Sequence, residues 1–208
     1  TWREIGEPRQ EGFALNDLGD YYRSQDDPTQ ALAAFEAALT LARPLDDYQL
    51  QANLLDKLGS LYERQDKGSE ALSSYQKALT MWCNVQNWGK ASRTLLSIGL
   101  RFASSSQVEQ ALAALKNANA VAQTIEDSFV KGAASTKIGD LELARSAYEP
   151  ALAAYQQALL VWRTQNDSSK TARVLSGIGA IYLSQGQYLE ASTALEEAVT
   201  NAASGNDQ

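Results

Sequence analysis

The chain has 208 residues, 44% of them hydrophobic, with a formal net charge of −7, no histidine and a single cysteine, Cys83. So many apolar residues exclude an intrinsically disordered chain, and an acidic balance without a basic run excludes nucleic acid and an anionic membrane as expected partners. One cysteine excludes an internal disulfide and a thiolate metal cluster, and the lack of histidine removes the commonest general base and zinc ligand.

No apolar run approaches the roughly 18 residues needed to cross a bilayer, and no signal-peptide pattern opens the chain. A cytoplasmic protein is expected. With Thr1 in place of methionine, the chain is expected to be a piece excised from a larger protein.

Gly19, Gly59, Gly99, Gly139 and Gly179 recur at one constant interval, and their surroundings recur with them. A fixed period of about 40 residues signals stacked helical units rather than one closed globule. Residues 1–11 align with the end of a unit. Trp2 falls in the column of Trp82 and Trp162, so Trp2 and Ile5 read as the tail of a second helix from a preceding repeat. Repeats then follow at 12–51, 52–91, 92–131, 132–171 and 172–208. In the first, Leu15, Leu18, Gly19 and Tyr22 share one helix face, which Gln25, Asp26 and Asp27 interrupt. Asp27 before Pro28 starts a second helix, a carboxylate cap followed by proline at the first helical position. That helix carries Ala31, Phe35 and Ala38 to about Arg43, ahead of Pro44.

The second repeat restates the frame with Leu55, Leu58, Gly59, Tyr62, Ala71, Tyr75 and Ala78. The third has Leu95, Ile98, Gly99, Phe102, Ala111, Leu115 and Ala118, and there Ser106 with Glu109 reads as a capping box. The fourth keeps Ile138, Gly139, Ala151, Tyr155 and Ala158 but departs elsewhere: Ser135 and Glu142 stand where the others have leucine and an aromatic. Pro150 stands where the others have Gln30, Glu70, Gln110 and Glu190. Proline is tolerated only in the first turn of a helix, so a shifted turn is expected. The fifth returns to Leu175, Ile178, Gly179, Tyr182, Ala191, Leu195 and Ala198. Glycine and alanine fall where paired helices must approach closely. The expected architecture is all-α: antiparallel helix hairpins stacked into a right-handed α-α superhelix with a concave inner face.

Large-x-x-Leu/Ile-Gly-x-x-aromatic followed by Ala-x-x-x-aromatic/Leu-x-x-Ala resembles the tetratricopeptide repeat, over essentially the whole chain. The family's usual unit is about 34 residues, so the longer period here means longer helices. Its usual tryptophan at the first frame position is Leu15, Leu55, Leu95, Ser135 and Leu175 here, and its closing proline is Arg43, Cys83, Gln123, Arg163 and Ala203. This longer variety is similar to arrays in bacterial, especially cyanobacterial, multidomain signalling proteins, often beside a caspase-like (CHAT) peptidase domain. The resemblance implies a non-catalytic scaffold that binds a protein partner. It also implies an alternative, a regulatory arm that gates an adjoining enzyme domain of its own chain, such as that peptidase.

The residues carry no catalytic constellation, and neither enzyme activity, a cofactor nor a metal is expected. The frame glycines are spread one to a repeat rather than gathered in a phosphate-cradling loop. Cys83 lies in the inter-repeat packing column, has no histidine to activate it, and reads as a buried structural thiol. The pairs Asp26/Asp27 and Asp46/Asp47 read as caps at helix starts. Tyr22, Tyr62, Phe102 and Tyr182 read as packing residues. Trp2, Trp82, Trp88 and Trp162 lie at or just beyond second-helix ends, where they would cover the next hairpin.

The resemblance also implies that first helices line the concave groove and that a peptide or helix lies there. Helical spacing assigns three columns to that face: Phe13, Asn53, Arg93, Ala133 and Arg173; then Asn16, Asp56, Leu96, Thr136 and Ser176; then Asp20, Ser60, Leu100, Asp140 and Ala180. The floor is polar and acidic at Asn16, Asp20, Asn53 and Asp56 and turns apolar at Leu96 and Leu100 beside Arg93. Those leucines either anchor a partner or are covered by neighbouring side chains. Arg93 and Arg173 either hold a partner's carboxylate or phosphate or pair with a carboxylate such as Asp56 or Asp140. The clamp for C-terminal carboxylates in the family's chaperone-binding members is matched here by Asn16, Asp20, Ser60, Arg93 and Ser97, of which only Arg93 fits. Trp2, Ile5, Leu195 and Val199 would leave apolar ends open to self-association.

Overall fold

A computed structural model of the protein describes residues 8–205. Among them are ten α-helices and no strand: α1 (Pro8–Ser24), α2 (Pro28–Ala42), α3 (Tyr48–Arg64), α4 (Gly68–Asn84), α5 (Trp88–Ser104), α6 (Val108–Thr124), α7 (Ser128–Ala144), α8 (Tyr148–Thr164), α9 (Ser168–Ser184) and α10 (Tyr188–Gly205). A 3-10 turn, Arg43–Leu45, follows α2, because Pro44 has no N–H with which to continue the helix. Trp2 and Ile5 lie outside the described residues. Residues 8–11 form the first turn of α1.

The chain divides into two compact units, residues 1–101 and 102–208, the division falling within α5. In the first, α1 packs on α2, α2 on α3 and α3 on α4. In the second, α6 packs on α7, α7 on α8, α8 on α9 and α9 on α10. Each pair is an antiparallel hairpin because the connection between its helices is short.

The turns explain why helices start and stop where they do. Asp26, Asp46, Asp66, Gln86, Ser106, Glu126, Ser146, Asn166 and Gly186 all have positive φ, one at each turn and evenly spaced along the chain. In most of these turns the next amide reaches back five residues to the helix it leaves, as in Asp27 N–H to the Tyr22 carbonyl at 3.0 Å and Asp167 N–H to the Trp162 carbonyl at 3.0 Å. This is the Schellman closure of a helix C-terminus. The residue that supplies the amide also opens the following helix. The Oδ1 atoms of Asp27, Asp47, Asn87, Asp127 and Asp167 each accept the backbone N–H three residues on, at 3.0–3.1 Å.

Two expectations are corrected here. Ser106 is the left-handed residue of its turn, and Gln107 at the cap of α6 makes no side-chain cap bond, so no capping box forms. The turn before Pro150 is not shifted: α7 and α8 keep the same lengths and spacing as the neighbouring helices. Pro150 is the third residue of α8, where an amide needs no intrahelical partner, and the cap residue before that helix is Ala147, without a side-chain acceptor.

Glycine at the frame position has a direct steric reason. A Cβ at Gly19, Gly59 or Gly139 would lie 2.4, 2.6 or 2.5 Å from the ring of Phe35, Tyr75 or Tyr155 on the partner helix. The close approach is to an aromatic ring. At Gly179 the neighbour is Leu195, at 2.7 Å. Ala31, Ala71, Ala111, Ala151 and Ala191 are fully buried on the second helices that carry these side chains. Tyr155 donates to Asp140 Oδ1 at 2.9 Å and Tyr75 to Glu63 Oε2 at 3.1 Å. Burial and those carboxylates push both phenols well above their ordinary pKa.

Trp82 and Trp162 are buried. Trp88 is exposed as the first residue of α5 and so does not cover a hairpin. Cys83 is exposed on the solvent side of α4 rather than buried, since its neighbour Trp82 occupies the inward position.

Candidate interaction site

In the first unit the side chains of the first-helix face divide into ties and openings. Lys57 of α3 reaches to α1, where its Nζ donates to Asn16 Oδ1 at 2.6 Å and to Asp20 Oδ2, and it stands 5.3 Å from the Phe35 ring centroid. Asp56 accepts Trp82 Nε1–H at 2.6 Å and Thr94 Oγ1–H at 2.8 Å. Asn16 and Asp56 thus tie helices together. In the second unit Thr136 does the same, accepting Trp162 Nε1–H at 3.0 Å while its hydroxyl donates to the Gly132 carbonyl. A tryptophan in the second helix comes with an acceptor on the first, a correlation legible in Asp56/Trp82 and Thr136/Trp162.

Leu96 is only 7% exposed, so of the apolar pair expected on the groove floor only Leu100, at 42%, faces solvent. Arg93 beside it is exposed. Asp140 receives Arg173 at 2.7 Å, the neighbouring-carboxylate alternative for that guanidinium. The Ser176 hydroxyl is spent on the Ala172 carbonyl, and Ser60 is half-buried.

The opening in this face lies elsewhere. A cavity of about 320 Å³ is bounded by Phe13 of α1, Gln49 and Asn53 of α3, Trp82 of α4 and Lys90 of α5, with Arg9 and Asp47 at its rim. Its volume is at the small end of the range for ligand pockets. Phe13 is 43% exposed there. Arg9 stacks over it at 5.6 Å and pairs with Asp47 at 2.9 Å. Lys90 acts through space on Asp56, lowering a pKa that burial has raised.

The second unit places an aromatic ring in the same constellation. Phe129 stands where the first unit has Gln49, and Lys170 where it has Lys90. Phe129 meets Trp162 edge to face at 6.2 Å, and the Lys170 ammonium lies 4.7 Å from the Trp162 ring and 5.7 Å from Phe129. What fills the second unit is one aromatic ring under an ammonium; in the first unit the ring is missing. Of the fifteen residues in the three expected groove columns, Phe13 and Asn53 line this cavity. Gln49, Trp82 and Lys90 escaped sequence reasoning because they come from helix starts and a second-helix end. The signal that could have found them is the substitution of glutamine for phenylalanine between two otherwise equivalent repeats.

No group of His, Cys, Asp and Glu among the described residues is placed to hold a metal, and no helix there is long and apolar enough to cross a membrane. Among curated proteins none matches the sequence. Solved structures similar in fold include BtubC from P. vanneervenii, 18% identical with a TM-score of 0.84 over 100% of this chain and 85% of that one. A kinesin light chain repeat protein of Podosopora anserina is 14% identical, TM-score 0.75, over 97% and 98% of the two chains. A Rap protein complexed with competence and sporulation factor is 19% identical, TM-score 0.70, over 95% of this chain, which spans 55% of the Rap protein's length. At these identities the likeness is one of fold. The profile of the tetratricopeptide repeat matches residues 10–84 and 130–204. With that match, the all-α hairpins and the packed glycine–aromatic frame, the chain belongs to the tetratricopeptide repeat family.

Proposed function

We propose that this protein is a non-catalytic interaction scaffold, and that the first-helix face of its first unit holds a partner segment by one aromatic side chain. The observation that carries the reading is the cavity between Phe13, Trp82 and Lys90, whose counterpart in the second unit is filled by Phe129 beneath Lys170. An incoming phenylalanine, tyrosine or tryptophan would restore the missing ring. Edge-to-face pairs of this kind contribute about 0.5–1.5 kcal/mol beyond area burial, and an ammonium over the ring adds about 0.5–1 kcal/mol. The amides of Gln49, Asn53 and Asn87 stand around the cavity to bond the backbone of the segment. The Rap protein, similar in fold, is complexed with a competence and sporulation factor, a precedent for a bound factor on this architecture.

The test is selection of a displayed random-peptide library on the whole chain. Enriched peptides are expected to share one aromatic position. Gln49→Phe, which copies Phe129 and plugs the cavity from within, is expected to weaken them at least about tenfold with helicity unchanged. Peptides without a common aromatic, or binding indifferent to Gln49→Phe, would overturn the reading.

A further inference from the structure

We propose a second interaction surface on the opposite kind of face, the groove between the second helices α8 and α10, and we infer that it takes a basic amphipathic helix of a partner protein. The groove encloses a cavity of about 470 Å³ lined by Leu152 and Leu159 of α8, Leu175, Ile178 and Tyr182 of α9, and Leu189 of α10. The equivalent place in the first unit, three repeats earlier, is bounded instead by Ser69, Glu70, Ser73, Ser74 and Lys77 around Tyr62. There the Tyr62 hydroxyl donates to Glu36 Oε1 at 3.1 Å, beside a smaller opening of about 340 Å³. In the second unit Gln156 stands in the place of Glu36 and Ala194 in the place of Ser74. The same fold position is polar in one unit and apolar in the other.

Two leucines show that this difference is a property of the surface. Leu189 is 79% exposed, and its counterparts Thr29, Ser69, Glu109 and Glu149 are all exposed too. Its exposure therefore belongs to the position rather than to α10 being the last helix described. Every other repeat meets that exposure with a hydrophilic side chain. Leu160, 69% exposed on α8, likewise replaces Thr40, Thr80, Ala120 and Thr200, all exposed. Exposed leucines flanking an apolar groove mark an interaction site.

The charge around the groove selects the occupant. The charged side chains lining the groove are Arg163 of α8 and Glu190 and Glu197 of α10; Glu197 already neutralises Arg163, which leaves the Glu190 carboxylate on the rim of an acidic chain. A groove between two helices takes a third through anchors at i, i+3 or i+4, and i+7. The Glu190 carboxylate on the rim and the chain's net charge of −7 favour lysine and arginine beside that stripe and disfavour an acidic helix. A second copy of this acidic chain is disfavoured on the same ground.

The test uses the whole chain and a fluorescein-labelled helical peptide with leucines at i, i+3, i+7 and i+10 and lysines elsewhere, against a scrambled peptide of equal composition. Fluorescence anisotropy is expected to show binding of the first only, weakened several-fold by high salt. The double variant Leu160→Thr/Leu189→Ser installs residues already present in other repeats at exposed positions, so it leaves the fold intact. It is expected to lose at least about tenfold in affinity, whereas Gln49→Phe changes nothing. Equal binding of the scrambled peptide, or unchanged binding by the double variant, would overturn the proposal. So would a dimer of the unmodified chain that the double variant abolishes without any peptide binding, because the occupant would then be a second copy.

Discussion

Asp56 shows how one side chain on a repeat can serve structure at an energetic cost. Its carboxylate accepts the Trp82 indole and the Thr94 hydroxyl in a half-buried site. Burial raises its pKa above the ordinary carboxylate range, and the two hydrogen bonds and the Lys90 charge offset that only in part. An acid with a raised folded pKa binds its proton more tightly folded than unfolded. Stability therefore falls as pH rises from the ordinary aspartate value, about 3.9, through the folded value, and stays at the lower level above it. Asp56→Asn keeps an acceptor for the indole and removes the titration. Urea midpoints measured from acid to neutral pH are expected to show the variant gaining on the unmodified protein as pH rises. A difference independent of pH would sink the assignment.

At the scale of the element, helix ends rest on one short turn used again and again. Its first half is backbone geometry and its second half is a cap, so capping chemistry should be separable position by position. Gln107 caps nothing, although the N–H of Gln110 is there to be capped. Gln107→Asp is expected to stabilise by about 0.5–1 kcal/mol. Ala147→Asp is expected to give clearly less, because the third residue of α8 is Pro150 and has no N–H to bond. Thermal or urea unfolding of the two variants orders them, and equal gains would mean that the charge at the helix start, rather than the bond, is what matters.

For the molecule as a repeat protein, stability is approximately a sum of terms from each repeat and each interface between neighbours, so one poor interface lowers the whole. Leu39 and Leu55 share the core of the first unit, and Leu159 and Leu175 line one cavity in the second. Asn119 and Ser135 occupy the same two positions on α6 and α7. The Asn119 Oδ1 and Ser135 Oγ atoms are buried without a hydrogen-bond partner. A buried unsatisfied polar group costs about 1–3 kcal/mol, whereas replacing both members by apolar groups is neutral or better. Asn119→Leu/Ser135→Leu is expected to raise the unfolding midpoint, and Ser135→Leu alone to raise it less. A midpoint lowered by the double variant would show that the space there is too small for the leucines.

Much of the fold was legible because it rests on spacing. The regular return of Gly19 with Phe35, and of Gly59 with Tyr75, encodes a ring lying against a helix with no Cβ between them, and no other residue type fits. Asp27 before Pro28 likewise announced a helix start that the structure contains. The even spacing of the turns was not legible, because Asp, Gln, Ser, Glu, Asn and Gly all adopt the same left-handed backbone there and share no side-chain signal. The environment of the candidate site residues was less legible. Periodicity assigns Asp56 and Leu96 to a helix face, but whether that face sees solvent depends on the size of what packs beside it, which is a three-dimensional matter. By itself the sequence determined the repeat, the hairpin and the residues that must be small, since these follow from the steric demands of one helix against the next. Only the tertiary structure decided which of two equivalent positions is filled and which is open. Gln49 against Phe129, and Ser69 against Leu189, acquire meaning only when the side chains around each are in place.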